Sequence, residues 1–313
     1  MIPKSQDVSY DLERAVSSVV SIHAIVPADA LTASVLGTER AGHGVVINDD
    51  GLIVTIGYVI TEAEQVWITV AENKVIPGYV VGYDYDSGFG LVKATQAVHC
   101  PVMSLGNSDG LRVGDQAIIV GYGGCDNSVL GSVIARHEFA GYWEYVLDEA
   151  LFTAPAHESW GGAAVIDGEG DLCGIGSLLV QRVDETGQLS GANMSVPINL
   201  LKPIFDDLCS YGKRTEAARP WMGFLVQDVG DQLIVSGVYE DCPADVAGLA
   251  PGDEITHING VEPDNLADLF RQIWHVGEAG VAVPVTVNRD NERQEIVVNS
   301  VDRDLILKTG RVH

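Results

Sequence analysis

The residues equipped for chemistry gather around one short segment, His157-Glu158-Ser159-Trp160-Gly161-Gly162. A hydroxyl beside an imidazole is the smallest unit of nucleophilic catalysis: the ring takes the proton while the oxygen attacks a carbonyl. Ser159 with His157, or with the more distant His43, supplies such a pair. A working dyad also needs a third group to orient the ring and amides to receive an oxyanion. A second chemistry is metal binding, because His43, His157 and Glu158 are all ligand types. No His-x-His or His-x-x-x-His spacing supports it, and Cys100, Cys125, Cys173, Cys209 and Cys242 form no Cys-x-x-Cys pair. The expectation is no metal and no cofactor. The odd number and wide gaps of the cysteines also argue against a disulfide framework, and most read as single buried thiols.

The elements that must carry these residues are mostly strands. Short aliphatic runs recur with Asp-Gly or Gly-Gly turns between them, at 44–48, 51–55, 66–70, 116–120, 163–166 and 173–176. Many short strands in series over about 200 residues imply barrels or sandwiches. Residues 8–20 read as an amphipathic helix leading into a strand, and 199–208 as a helix. A linker is read at 209–218, with Ser210 to Thr215 at its centre, and then a smaller unit over 219–303. In it, 265–275 has a helical stripe of Leu266, Leu269, Phe270 and Ile273, and 281–288 and 294–300 read as strands around Asp290-Asn291. Residues 304–313 are left as a tail. The 313 residues carry a net charge of -26, which argues against nucleic acid or an anionic membrane as partner. No run of eighteen apolar residues is present, so no membrane span is expected. Met1-Ile2-Pro3-Lys4 is followed by polar residues, not by the apolar stretch of a signal peptide. That implies a cytoplasmic protein if the chain is complete, and a periplasmic or extracytoplasmic one if a targeting segment has been removed.

Four segments of the smaller unit, in order, resemble the PDZ domain of HtrA/DegP-type proteases. They are Arg219-Pro220-Trp221-Met222-Gly223-Phe224, then Cys242-Pro243-Ala244 through Gly248-Leu249, then Pro251-Gly252-Asp253-Glu254-Ile255, and last Ile258-Asn259-Gly260. The resemblance implies that the amides of Met222, Gly223 and Phe224 receive a terminal carboxylate. An extended peptide would then pair along Phe224, Leu225 and Val226, with Trp221 beside the loop and Leu266, Leu269 and Phe270 walling the pocket for its last side chain. The larger unit, 21–208 with halves at about 21–108 and 109–208, resembles the same family's trypsin-like domain through Gly42-His43-Gly44-Val45-Val46-Ile47, Asp50-Gly51-Leu52-Ile53-Val54-Thr55 and Glu158 to Ala163.

That resemblance implies a mainly β fold: a double β-barrel of two six-stranded halves behind an N-terminal helical segment 1–20, followed by a PDZ domain with two short helices. It also places Tyr58, Gly88 and Trp160 where the family keeps its catalytic His, Asp and Ser. Tyrosine is a poor base at neutral pH, glycine orients nothing, and an indole cannot attack. Glu158 falls where the family has an oxyanion-hole glycine, and Asp84 and Asp86 lie near the missing acid. A stack of Tyr58 on Trp160 would close the site. The implied function is a catalytically inactive homologue that binds extended or C-terminal peptides as a scaffold, adaptor or chaperone. The alternatives are an active serine endopeptidase built on Ser159 with His157 or His43, and a metal- or ligand-binding protein reusing the cleft. Family members trimerise, which implies a homo-oligomer through the apolar segment at Val16, Val19 and Val20.

Overall fold

The computed structural model describes residues 1–183, 187 and 189–308, so of the tail only 304–308 is described and 309–313 lies outside the described residues. The described chain divides into two compact units, one of 1–137 and 149–215, the other of 138–148 and 216–308.

The first unit holds two closed barrels of six strands each. The first barrel is β1 (Val19–Ile25), β2 (Glu39–Val46), β3 (Leu52–Ile56), β4 (Gln65–Val70), β5 (Lys74–Tyr83) and β6 (Phe89–Ala94), ordered β1-β2-β3-β6-β5-β4. The second is β7 (Gln116–Val120), β8 (Ser128–Gly141), β9 (Tyr145–Ala154), β10 (Ala164–Ile166), β11 (Leu172–Val183) and β12 (Leu189–Pro197), ordered β10-β11-β12-β9-β8-β7. Closure leaves no free edge. The aliphatic runs read from the sequence become inward faces: Ile22, Val45, Ile53, Ile68, Ile76 and Leu91 have no measurable exposure.

The N-terminal helix is shorter than the sequence pattern suggests. It is α1 (Leu12–Val16), started by the Asp11 side chain accepting from the Arg14 amide. Val19 and Val20 already belong to β1. Val16, Val19 and Val20 are 2%, 4% and 0% exposed. Their side chains lie in the chain's own core, which corrects the expectation that they form an apolar self-association face. Near 199–208, Pro203 cannot donate a helical hydrogen bond, so two 3-10 turns precede α4 (Phe205–Tyr211), which runs into the expected linker.

The second unit has one sheet in the order β13 (Phe224–Val229), β14 (Gln232–Val238), β15 (Glu254–Ile258), β16 (Ala282–Arg289), β17 (Glu292–Asn299). Helices α5 (Pro243–Ala247) and α6 (Leu266–His275) accompany it. Asn265 caps α6 by accepting from the Asp268 amide. Asp253 is 1% exposed, accepts from the Ala250 amide and receives a two-pronged Arg289 guanidinium at 2.6 Å on each oxygen. The Pro-Gly-Asp signature is thus a turn locked by its own carboxylate.

One short helix matters for the site. In the first unit α3 (Gly57–Ile60) carries Tyr58. Arg40, 5% exposed, donates to the Tyr58 and Thr61 carbonyls at 2.9 Å each and to Thr32 Oγ1 at 2.7 Å. Glu62 accepts from the same Thr32 hydroxyl at 2.6 Å and lends its charge to Arg40. A buried charge network of this kind is costly to break one-sidedly, because the remaining partner stays buried. Replacing Arg40 with Ala is expected to lower stability by about 3–5 kcal/mol, read as a shift of the urea midpoint without a change in slope; an unchanged midpoint would show that Arg40 does not hold α3.

Candidate functional site

Backbone contacts between the barrels and within the second one set the geometry around Trp160. The His43 amide donates to the Gly161 carbonyl at 2.8 Å, the Gly162 amide to Gly176 at 2.8 Å, and the Gly176 amide to Ala163 at 2.7 Å. Gly162 has φ +80°, and a Cβ there would lie 1.9 Å from the His43 carbonyl oxygen. Only glycine fits this crossing.

The three expected positions come together. Gly57, beside Tyr58, donates its amide to the Gly88 carbonyl at 2.7 Å. The Tyr58 hydroxyl donates to the Ser177 carbonyl at 2.8 Å, and the Trp160 side chain lies beside it. The two side chains are neighbours, but their rings are not among the stacked pairs of the described residues, where the sequence suggested a stack. Burial raises the phenol above its usual range, further from any role as a base. Gly88 has φ +88°, a conformation that side chains seldom adopt.

The alternative machinery also assembles in part. His43 and His157 both face Gly121, whose hypothetical Cβ would lie 3.2 Å from each ring. His157, 3% exposed, accepts from the Ser159 amide through Nδ1 at 2.9 Å. Its Nε2 must then carry the proton, which it directs at the Asn127 carbonyl 2.9 Å away. The main chain of His157 is held by Asn193, which accepts from its amide at 2.6 Å and donates to its carbonyl at 3.0 Å. His43 Nδ1 accepts from the Tyr122 amide at 3.0 Å. Each ring thus has its lone pair occupied by a backbone amide, and neither has one left for the Ser159 hydroxyl. Glu158 is exposed. Among the described residues no three His, Cys, Asp or Glu side chains are arranged to hold a metal ion. All five cysteines are free.

Asp84, near the expected acid position, is tied into the fold. It is 6% exposed, accepts from the Ser87 amide at 2.8 Å, and is gripped by Arg214 at 2.6 and 2.9 Å. Neither its burial nor its pairing with a residue 130 positions away carries a local sequence signal.

In the second unit the carboxylate loop is formed, and it holds a carboxylate from the chain itself. Glu144 Oε1 accepts from Gly223 at 2.8 Å, Met222 at 3.3 Å and Phe224 at 3.4 Å, and Oε2 accepts from Met222 at 3.1 Å. Gly223 has φ +77°, and a Cβ there would lie 2.7 Å from Cys242 Cβ. Two residues before Glu144, the Tyr142 carbonyl accepts from the Val226 amide at 2.9 Å. Leu269 and Phe270 are fully buried, and Leu266 packs against the same cluster. Leu269 and Phe270 thus line the core beside β13 together with Met222, Phe224 and Val226. Trp221, 5% exposed, lies under the Arg303 guanidinium. Glu144 escaped the sequence reading because a lone glutamate 78 residues before Met222 matches no motif.

Comparisons with known proteins find the same two domains in the same order. The trypsin-like peptidase domain family matches residues 42–175, and the PDZ domain family matches 220–299. A "Probable periplasmic serine endoprotease DegP-like" of Pseudomonas fulva is 25% identical over 83% of this chain and 55% of its own length. Its counterpart in Hahella chejuensis is 27% identical over 81% and 55%. The chain therefore spans a little over half the length of the curated relatives it matches. Among solved structures, the HtrA-type protease AlgW with a decapeptide aligns with TM-score 0.54 at 20% identity, covering 93% of this chain and 97% of that one. A serine endoprotease from Yersinia pestis aligns with TM-score 0.53 at 22% identity, covering 94% and 99%.

Burial, with the neighbouring His157 second, pulls His43 down to about 4. The folded ring stays neutral while the unfolded one takes a proton below about pH 6.5. Its contribution to stability is complete above 6.5 and declines as the pH falls towards 4. Between pH 7 and 4.5 wild type is expected to lose about 2–3 kcal/mol that His43→Asn, which offers an oxygen to the Tyr122 amide, does not lose. Urea titrations at the two pH values measure this; equal losses in both proteins would contradict it. With both domains and their order in place, the chain is a homologue of the HtrA/DegP-type serine endoproteases, built from a trypsin-like peptidase domain and a PDZ domain.

Proposed function

We propose that this chain is an HtrA-type peptide-binding protein whose peptidase domain lacks the serine-protease triad. It acts by holding extended or C-terminal segments of other proteins through its PDZ domain, as a scaffold, adaptor or chaperone. The observation that carries this reading is the Tyr58 side chain, set beside Trp160 with its hydroxyl anchored on the Ser177 carbonyl. It stands where a trypsin-like site needs a free imidazole beside a free hydroxyl. Two further observations support it. The lone pairs of His43 and His157 are engaged by backbone amides, so Ser159 has no base. The backbone at Gly88 suits glycine and is strained for an aspartate. The peptide-binding half of the proposal rests on consecutive amides at 222–224 that already donate to a carboxylate.

Pure protein incubated with unfolded casein is expected to leave it intact over hours at pH 7.5. Cleavage that disappears on Ser159→Ala would sink the proposal and establish the Ser159-based endopeptidase instead. On an array of peptides, free C-termini are expected to bind at least tenfold better than the same peptides amidated, because only a carboxylate satisfies the loop's amides. Equal binding of the two forms would remove the carboxylate loop from the function.

A further inference from the structure

The contacts of Glu144 form a pattern of their own. A PDZ-type groove recognises its ligand by three features: a carboxylate on the loop amides, main-chain pairing with the adjacent edge strand, and an apolar side chain set against the core. Residues 142–146 supply all three. Glu144 fills the amides of Met222, Gly223 and Phe224. Tyr142 pairs with Val226. The two contacts run in opposite chain senses, 144 to 142 against 223 to 226, as an antiparallel added strand would. They use the outer side of β13, which ends the sheet and has no strand beyond it. Val146, 8% exposed, joins the apolar cluster containing Met222, Phe224, Val226, Leu269 and Phe270.

We infer that the hairpin segment 138–148 is a built-in ligand of the PDZ groove, with Glu144 seated where a partner's terminal carboxylate would sit, so that a C-terminal peptide binds by displacing it. The inference rests on the reading of 222–226 as a peptide groove. The turn itself supports it. Glu144 has φ +59°, a conformation that glycine or asparagine adopts more readily. The local backbone has no need of a glutamate, whereas the three amides do. The base of the hairpin is fastened to α6 by Arg271, which reaches Glu138 and Asp148 at 2.5 Å each. Both pairs are largely in solvent, so they guide the segment more than they hold it.

The seat also carries a pH dependence. Burial pushes Glu144 up to about 7, although the three amides and Arg303 oppose the rise. The other titratable groups facing it are Tyr239 and Cys242, both raised mainly by burial and both uncharged near neutrality. A released Glu144 ionises near its ordinary value of about 4.3. The docked segment therefore holds a proton that the released one has lost, over the window from about 4.3 to about 7. Raising the pH through that window favours release, and above it the balance is constant. Peptide affinity is expected to rise with pH across the same interval.

The test uses the full chain with Glu144→Ala and Glu144→Gln, and fluorescent peptides ending in a free, apolar C-terminal residue. Hydrogen exchange of the Met222, Gly223 and Phe224 amides is followed in parallel. In wild type these amides are expected to be protected. In Glu144→Ala they lose protection at least tenfold while amides in β14 to β16 keep theirs, which reports an intact sheet. The same variant is expected to bind the peptides at least tenfold more tightly at pH 5.5. Glu144→Gln, neutral at all pH, is expected to flatten the rise of affinity between pH 5 and 7.5. Unchanged protection at Gly223 in Glu144→Ala, or unchanged peptide affinity despite lost protection, overturns the inference. Lost protection with no peptide bound by any variant upholds the internal ligand and removes the peptide-binding function instead.

Discussion

Close approach of backbone to backbone is the constraint on which the larger unit depends. Where β2 crosses the loop after Trp160, the chains lie so near that a methyl group at Gly162 would penetrate the His43 carbonyl. The His43 amide ties β2 to the loop at Gly161, and the Gly162 and Gly176 amides tie that loop to β11 of its own barrel. The positions of the neighbouring side chains follow. Trp160 emerges beside the Tyr58 hydroxyl, and Gly161 leaves room for that hydroxyl, since a Cβ there would come within 2.8 Å of it. A crossing of this kind, fixed by main-chain atoms, holds whatever side chains occupy the rim. It explains how a trypsin-like frame persists with an indole and a phenol at its centre.

The same logic, with amides as the instrument, governs the second unit. Three successive N–H groups pointing one way form a site for negative charge without any basic side chain. Such a site is never neutral about its contents, because unfilled amides in a buried loop lose their hydrogen bonds altogether. Glu144 satisfies them, and its own desolvation opposes its ionisation. The raised value near 7 records that contest. The loop is satisfied by Glu144, yet a carboxylate held at the expense of its charge can be exchanged for one that pays less for burial.

Much of the frame was legible in the residues, and the reasons are physical. The barrel strands announce themselves because a closed sheet buries one face of every strand, so apolar residues such as Ile22, Ile53 and Ile68 recur at fixed places. The PDZ segments are legible because local backbone geometry dictates them: Gly223 and Gly248 take positive φ, and Asp253 closes its own turn. What stayed hidden depends on partners remote in sequence. Asp84 meets Arg214, and Glu144 meets Met222, across intervals in which no periodicity survives. The length of α1 and the burial of Val19 and Val20 were misjudged for a related reason, since an apolar run reads alike in a helix, a strand or an interface.

The histidines carry the last step. From composition, His43, His157 and Ser159 look like spare catalytic parts, and the fold does bring both rings to Gly121. Proximity is not the deciding quantity, however; the direction of the hydrogen bonds is. An imidazole serves as a base only through an unprotonated nitrogen aimed at the proton it will take. In His157 that nitrogen receives the Ser159 amide and in His43 the Tyr122 amide, so each ring is committed to shaping a loop. Freeing either lone pair means breaking a backbone hydrogen bond in a buried place, and the chain offers no replacement partner for that amide among these contacts. In both rings the nitrogen a base would use is the one that accepts a backbone amide.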